Sequence, residues 1–261
     1  MQKRLQNERY TLYKLALCKN IKGIKVMSIA IEGVAPVIGQ AVTDIYGRKI
    51  GVLVSVYSDV DGKVTAVEIM INDSHYETLP SERLEHGIDG LKVVPEWLVE
   101  ARKLERKLDI LKKRFKATEE LYKKNQIPAH AYRELKEKFS KEVERAKVEV
   151  KNLKDALRKR VYEIENFVIH VEKAMTHLMV NYTAGEVPEN SFKTSADLMR
   201  FARQTALEEK KDLEKHMTLI EKLEQELSAV TTSGVEEQPL APPAQVTVPV
   251  SATPVSVKVV S

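Results

Sequence analysis

The chain has 261 residues, of which 31% are charged and 6% aromatic, a balance that favours extended helices over one large globular core. Its 42 basic and 38 acidic groups leave a net charge of +4, so most charges can pair locally. No apolar run approaches the roughly 18 residues that span a bilayer, the N-terminus lacks a signal-peptide apolar region, and the one cysteine, Cys18, excludes an intramolecular disulfide and points to a reducing compartment. The expectation is a soluble intracellular protein, at most peripherally attached to membrane.

Residues 1–20 form a basic arm. Lys3, Arg4, Arg9, Lys14, Lys19, Lys22 and Lys25 stand against Glu8 alone, and Leu5, Leu12, Leu15 and Ala16 can share one helical face. These seven cations are candidate contacts for anionic lipid or nucleic-acid phosphate. The competing reading is a solvated helix docked on the next domain.

Residues 21–95 read as a small β domain, with strands expected at 26–31, 49–57 and 63–71. Asp59, Val60, Asp61 and Gly62 form a turn between two of them, Asp-Gly supplying the positive φ of a tight hairpin. A calcium loop is rejected because the further ligands and the terminal Glu are missing. Pro80 and Pro95 are expected to close the domain. The series Ile38, Gly39, Val42, Asp44, Gly47, Ile50, Gly51, Leu53 and Val56, followed by Asp61, Gly62, Lys63, Val64, Ala66 and Val67, resembles the PRC-barrel, a small β-barrel named after the photosynthetic reaction centre.

Residues 96–229 read as helices at about 96–125, 129–182 and 195–229. Steps of three and four link Ala101, Leu104, Leu108, Leu111, Phe115, Thr118 and Tyr122 on the first. The second carries Tyr132, Leu135, Phe139, Val143, Ala146, Val150, Leu153 and Leu157, then, after a stutter at Val161, Ile164, Val168, Val171, Met175, Leu178 and Tyr182. A seam kept up this long is a coiled coil or a helical hairpin. The third helix is noisier, with Leu213, Met217, Ile220, Leu223 and Leu227 as its clearest stripe. Trp97 opens the region and is expected to pack against the β domain.

A repeat links the helices. Tyr122, Ile127, Pro128, Tyr132 and Arg133 recur, shifted by sixty positions, as Tyr182, Val187, Pro188, Phe192 and Lys193. Proline at a helix start loses no hydrogen bond, and the apolar residue before it can staple the turn against the following aromatic. Two such reversals predict an antiparallel zigzag of three helices.

A Ser/Thr/Gly and Pro-rich linker follows at 230–243. The terminal segment 244–261 alternates valines in two runs, Val246, Val248 and Val250, then Val255, Val257 and Val259. Period-two spacing places each run on one strand face. With no sheet nearby in sequence, such a strand suits addition to a partner's sheet edge; a disordered tail or one folded back on the β domain remain the alternatives. Pro249 and Pro254 remove ladder donors, so pairing is continuous on one edge only.

No catalytic constellation emerges. His75 and His86 are not a motif, and His170 and His177, seven apart on or beside the long seam, read as packing or surface residues. HExxH, CxxC and Walker patterns are missing, and 47–51 has the wrong spacing for phosphate. No cofactor, metal site or enzymatic activity is expected.

A PRC-barrel-like domain, a long coiled coil and a terminal strand peptide, in that order, resemble the archaeal CdvA cell-division family over the whole chain. The fold class expected is therefore α+β: a small N-terminal PRC-barrel-like β domain, long antiparallel coiled-coil helices and a disordered tail. The resemblance implies a division-site scaffold, cytoplasmic and peripherally membrane-associated, that self-associates into filaments through the coiled coil. It implies recruitment of an ESCRT-III homologue of the CdvB type, whose winged-helix region takes up the C-terminal peptide, and an association with DNA. Carried over, the recruiting residues are Val246, Val248, Val250, Val255, Val257 and Val259. The rival function is a nucleic-acid-binding architectural protein acting through the basic arm and the barrel.

Overall fold

The computed structural model describes residues 29–87 and 90–232. The basic arm with Lys3, Arg4, Arg9, Lys14, Lys19, Lys22 and Lys25, the residue Cys18, and the valine tail from 244 onward lie outside the described residues.

The fold is α+β, a sheet domain followed by three long helices. Its elements are α1 (Ile31–Val34), β1 (Ala41–Asp44), β2 (Lys49–Ser58), β3 (Val64–Asn72), β4 (His75–Pro80), β5 (Leu84–Gly87), β6 (Gly90–Val93), α2 (Glu96–Lys123), α3 (Ala129–Thr183) and α4 (Glu189–Thr232). The strands pair in the order β4-β3-β2-β1-β6-β5. All pairs are antiparallel except β1 with β6, which runs parallel through Thr43 opposite Lys92 and Asp44 opposite Val93. Val34, Val42, Leu53, Val64, Val67, Ile69, Leu79, Leu91 and Val93 make the core of this domain.

Two turns set the sheet's geometry. Asp59 accepts from the backbone N–H of Asp61 and Lys63 at 3.0 and 2.8 Å, and Gly62 takes φ +73°, so the Asp-Gly hairpin forms as expected. At Gly51 a Cβ would stand 2.3 Å from the carbonyl oxygen of Met70, so only glycine lets β2 and β3 pair this closely. Two expectations need correction. Of the strand expected at 26–31, the described residues hold a bridge of Ala30 to Lys63, and from Ile31 to Val34 the chain is a helical turn. Pro80 does not close the domain, because β5 and β6 follow it. Their four-residue length, with Glu85, His86 and Lys92 among so few positions, left no readable alternation.

The helices run up, down and up. Phe115 meets Phe139 at 5.6 Å between ring centroids, Lys107 bonds Glu149, Arg203 bonds Glu172, and Lys112 bonds Glu226. These pairings make α3 antiparallel to both α2 and α4, and α2 parallel to α4. One apolar core runs through all three, from Leu104, Leu108 and Leu111 across Val150, Leu157 and Ile164 to Leu213, Ile220 and Leu227. At 1.5 Å per residue α3 is ~80 Å long, and no shorter neighbour covers it alone. It pairs with α2 toward one end and with α4 toward the other. Level with residue 149 at Lys107, α2 begins opposite about residue 160 of α3, which is where the seam stutters.

Each reversal is the same device. Asn125 (φ +54°) and Gly185 (φ +80°) leave the helix in the left-handed region, and the N–H groups of Gln126 and Glu186 reach back to the carbonyls of Leu121 and Asn181. Tyr122 stacks on Tyr132 at 4.1 Å and 11°, and Tyr182 on Phe192 at 4.3 Å and 14°. An aromatic pair of this geometry contributes about 1 kcal/mol beyond its area. Tyr182→Ala is expected to loosen the second turn by about that amount; equal proteolysis rates at 184–188 in both proteins would contradict this.

Candidate assembly site at the junction of sheet and helices

The β1–β2 turn docks on α4 through a charged cluster. Asp44, 3% exposed, is held by the backbone N–H of Tyr46 and Arg48 and by the Arg48 guanidinium at 2.6 Å. The same guanidinium reaches across to Glu209 on α4 at 2.6 Å. Glu209, 1% exposed, also accepts two bonds from Arg160 on α3, at 2.9 and 3.2 Å. Burial pushes this carboxyl upward, but the hydrogen bonds and charges of Arg160 and Arg48 outweigh it and hold Glu209 below the ordinary glutamate range. Beside the cluster the Tyr46 hydroxyl donates to Asp212 at 3.4 Å, and burial together with Asp212 and Glu209 raises its pKa. Every carboxylate and guanidinium here has a partner. The cluster acts as a clamp that fixes the sheet domain to two helices at once.

Trp97 does not pack on the sheet. Its ring joins the helical core and meets His216 edge-on at 6.1 Å, while His216 bonds Glu105 at 2.5 Å. The residue sits one position into α2, so it faces the α2–α4 seam and not the domain before it. The other histidines stay apart: His75 and His86 lie on β4 and β5, and His170 and His177 are exposed on α3, outside its seam. Among the described residues no three His, Cys, Asp or Glu side chains converge on one point.

Sequence reasoning missed the clamp. Arg48 and Glu209 are far apart in the chain, and the segment 47–51 reads as part of the barrel pattern and as a poor phosphate loop, neither of which singles out Arg48. The available signal was Glu209 itself, a charge at a helical position between the apolar Ala206 and Leu213. The candidate phosphate-contacting cations and the valines lie outside the described residues, so neither set is brought into contact with this junction. Among the described residues no helix is long and apolar enough to cross a membrane.

The two hairpin ends differ in charge. Residues 112–141, around the first reversal, hold ten Lys/Arg against four Asp/Glu; the equivalent 172–201 hold three against four. Lys112 is tied to Glu226 and Lys113 to Asp109, so part of the first cluster is neutralised at its base.

Residues 96–241 match the family described as the CdvA-like coiled-coil domain. The chain is also similar to Cell division protein A of Sulfolobus acidocaldarius, 32% identical over 208 residues, which cover 80% of this chain and 87% of that protein. No solved structure matches it.

Proposed function

Since the chain belongs to the CdvA-like family of cell-division proteins, we propose that it is a non-enzymatic division-site scaffold that recruits an ESCRT-III homologue through its C-terminal peptide. The observation that carries this reading is the doubled valine alternation at 246–259, which follows the helical region and a Pro-rich segment in the sequence. In this account the PRC-barrel-like sheet domain and the coiled coil place the molecule, by self-association and by peripheral contact with membrane at the division site. The tail adds a strand to the winged-helix region of the partner. Clamping the sheet domain at Glu209 supports the reading, because a rigid rod holds many tails at fixed spacing, and weak peptides on a polymer then bind with avidity.

Co-sedimentation of the partner with the full chain, and with a chain ending at residue 243, tests the reading. Retention by the full chain alone is expected; equal retention by both would contradict recruitment through the tail.

One observation favours a second activity, contact with a polyanion such as DNA: the basic surplus around the first reversal, added to that of the arm. Binding through phosphates is expected to fall by about tenfold or more between low and physiological salt, whereas valine-anchored strand addition holds. A salt-insensitive affinity for DNA would remove this reading.

A further inference from the structure

The outer face of the sheet is aromatic at its centre and acidic around it. Leu53, Val67, Ile69 and Leu79 of β2, β3 and β4 point into the core, which leaves Tyr57, Glu68, Met70, Tyr76 and Thr78 on the opposite face. Tyr57 and Thr78 both donate to Glu68, at 3.2 and 2.7 Å, and Tyr76 stands opposite Met70. The two tyrosines are 48% and 54% exposed. From 57 to 82 the chain holds Asp59, Asp61, Glu68, Asp73, Glu77 and Glu82 against Lys63 alone. Arg83 pairs with Glu77 and Lys103 with Glu82, but among the described residues no lysine or arginine pairs with the other four. The helices differ: Glu149, Glu165, Glu172 and Glu226 each hold a lysine or an arginine.

We propose that this face is the dock of the chain's own basic arm, residues 1–25. The inference goes beyond the scaffold reading and does not depend on it. Charge selects the occupant. The arm sets Lys3, Arg4, Arg9, Lys14, Lys19, Lys22 and Lys25 against Glu8, so a segment with six cations in excess adjoins one with five carboxylates in excess. The point of entry selects it as well. The Ile29 carbonyl accepts from Val64 at 2.8 Å and the Ile31 N–H donates to the Gly62 carbonyl at 2.9 Å, so the arm joins the sheet at the first residue of β3, beside Asp59 and Asp61. The lengths agree. The nine residues of β3 run ~30 Å, and twenty residues wound as a helix run the same ~30 Å. The stretch 21–28 spans up to ~28 Å, enough to lay the arm along β3 from one acidic turn to the other. In that pose Leu5, Leu12 and Leu15 share the side that covers Tyr57, Met70 and Tyr76, and the cations on either flank meet the carboxylates. The contact is small, but tethering gives it an effective concentration on the order of millimolar. While docked, the arm turns its cations toward the sheet and not toward phosphate outside the molecule.

Zero-length carbodiimide coupling of the full chain, followed by peptide mapping of the monomer band, tests this. Lys3, Lys14 and Lys19 are expected to form amides with Asp61, Glu68 or Asp73, and at least about tenfold fewer of them when salt shortens the Debye length to about 4 Å. The double variant Tyr57→Ser/Tyr76→Ser, which changes no charge, is expected to lower the yield about tenfold by removing the apolar contact. The control Tyr162→Ser, exposed on α3, should couple as the wild type does. Circular dichroism confirms that each variant keeps its fold, as substitutions at exposed positions should. Arm lysines that couple to helix carboxylates as often as to the sheet, or not at all, would overturn the dock. Sheet coupling confined to a dimer band would place a second copy's arm on the face and overturn docking within one chain. A tyrosine variant that couples like wild type would overturn the role of the aromatic face.

Discussion

Replacing Glu209 with alanine is expected to destabilise the junction by about 3 kcal/mol, the lower end for breaking a buried ion pair because both arginines retain solvent contact. The side chain is 1% exposed and joins Arg48 of the sheet domain to Arg160 of α3. Without it two guanidiniums face each other across an emptied site, and the sheet domain loses the clamp to both helices. The expected signature is an earlier, separate unfolding step of the sheet domain, with a lowered helical melt as well because Arg160 of α3 loses its partner on α4. A single cooperative transition at the wild-type temperature would contradict it. The same group sets a pH dependence. Its folded pKa lies below the ordinary glutamate value, so its stabilisation is fully present above that ordinary value and is lost as pH falls through the folded one. The wild type should therefore lose junction stability only as pH falls below the ordinary glutamate value, and Glu209→Ala should not show that loss. Urea midpoints across that window decide it.

The second large effect concerns the tail. Two valines entering a partner's groove contribute about 1.5–3 kcal/mol each, so the double variant Val248→Asp/Val257→Asp is expected to weaken partner binding by more than about a hundredfold. Helicity and the sheet–helix clamp lie elsewhere and should be untouched. Comparing the two single variants identifies which run is the anchor, because a run that stays in solvent tolerates the charge. Unchanged affinity for both singles and the double would remove the tail from the mechanism.

What could be read from the sequence follows from where the physical signal is local. The seams of α2 and α3 and both reversals were legible, since Leu104, Leu108 and Leu111 or Pro128 and Pro188 act within a few residues of themselves. The start of α4 was expected at 195 and is at Glu189, because the seam there is thin while the turn that begins the helix is a copy of the one before α3. The Asp59–Gly62 hairpin was legible for the same local reason. β5 and β6 were not, being four residues each and placed by pairing with one another and with β1. Trp97 was assigned to the wrong neighbour because its partner, His216, arrives through a helix more than a hundred positions away. The clamp was invisible for that reason too: Arg48 and Glu209 are unremarkable until the fold brings them within 2.6 Å.

The most direct measurement is a calorimetric titration of a peptide spanning residues 244–261 into the winged-helix region of an ESCRT-III-like protein from the same organism. The account predicts saturable one-to-one binding that is lost in the Val248→Asp/Val257→Asp peptide. No heat of binding at peptide concentrations near a millimolar, where even a contact worth only about 4 kcal/mol is half occupied, would contradict recruitment through the tail.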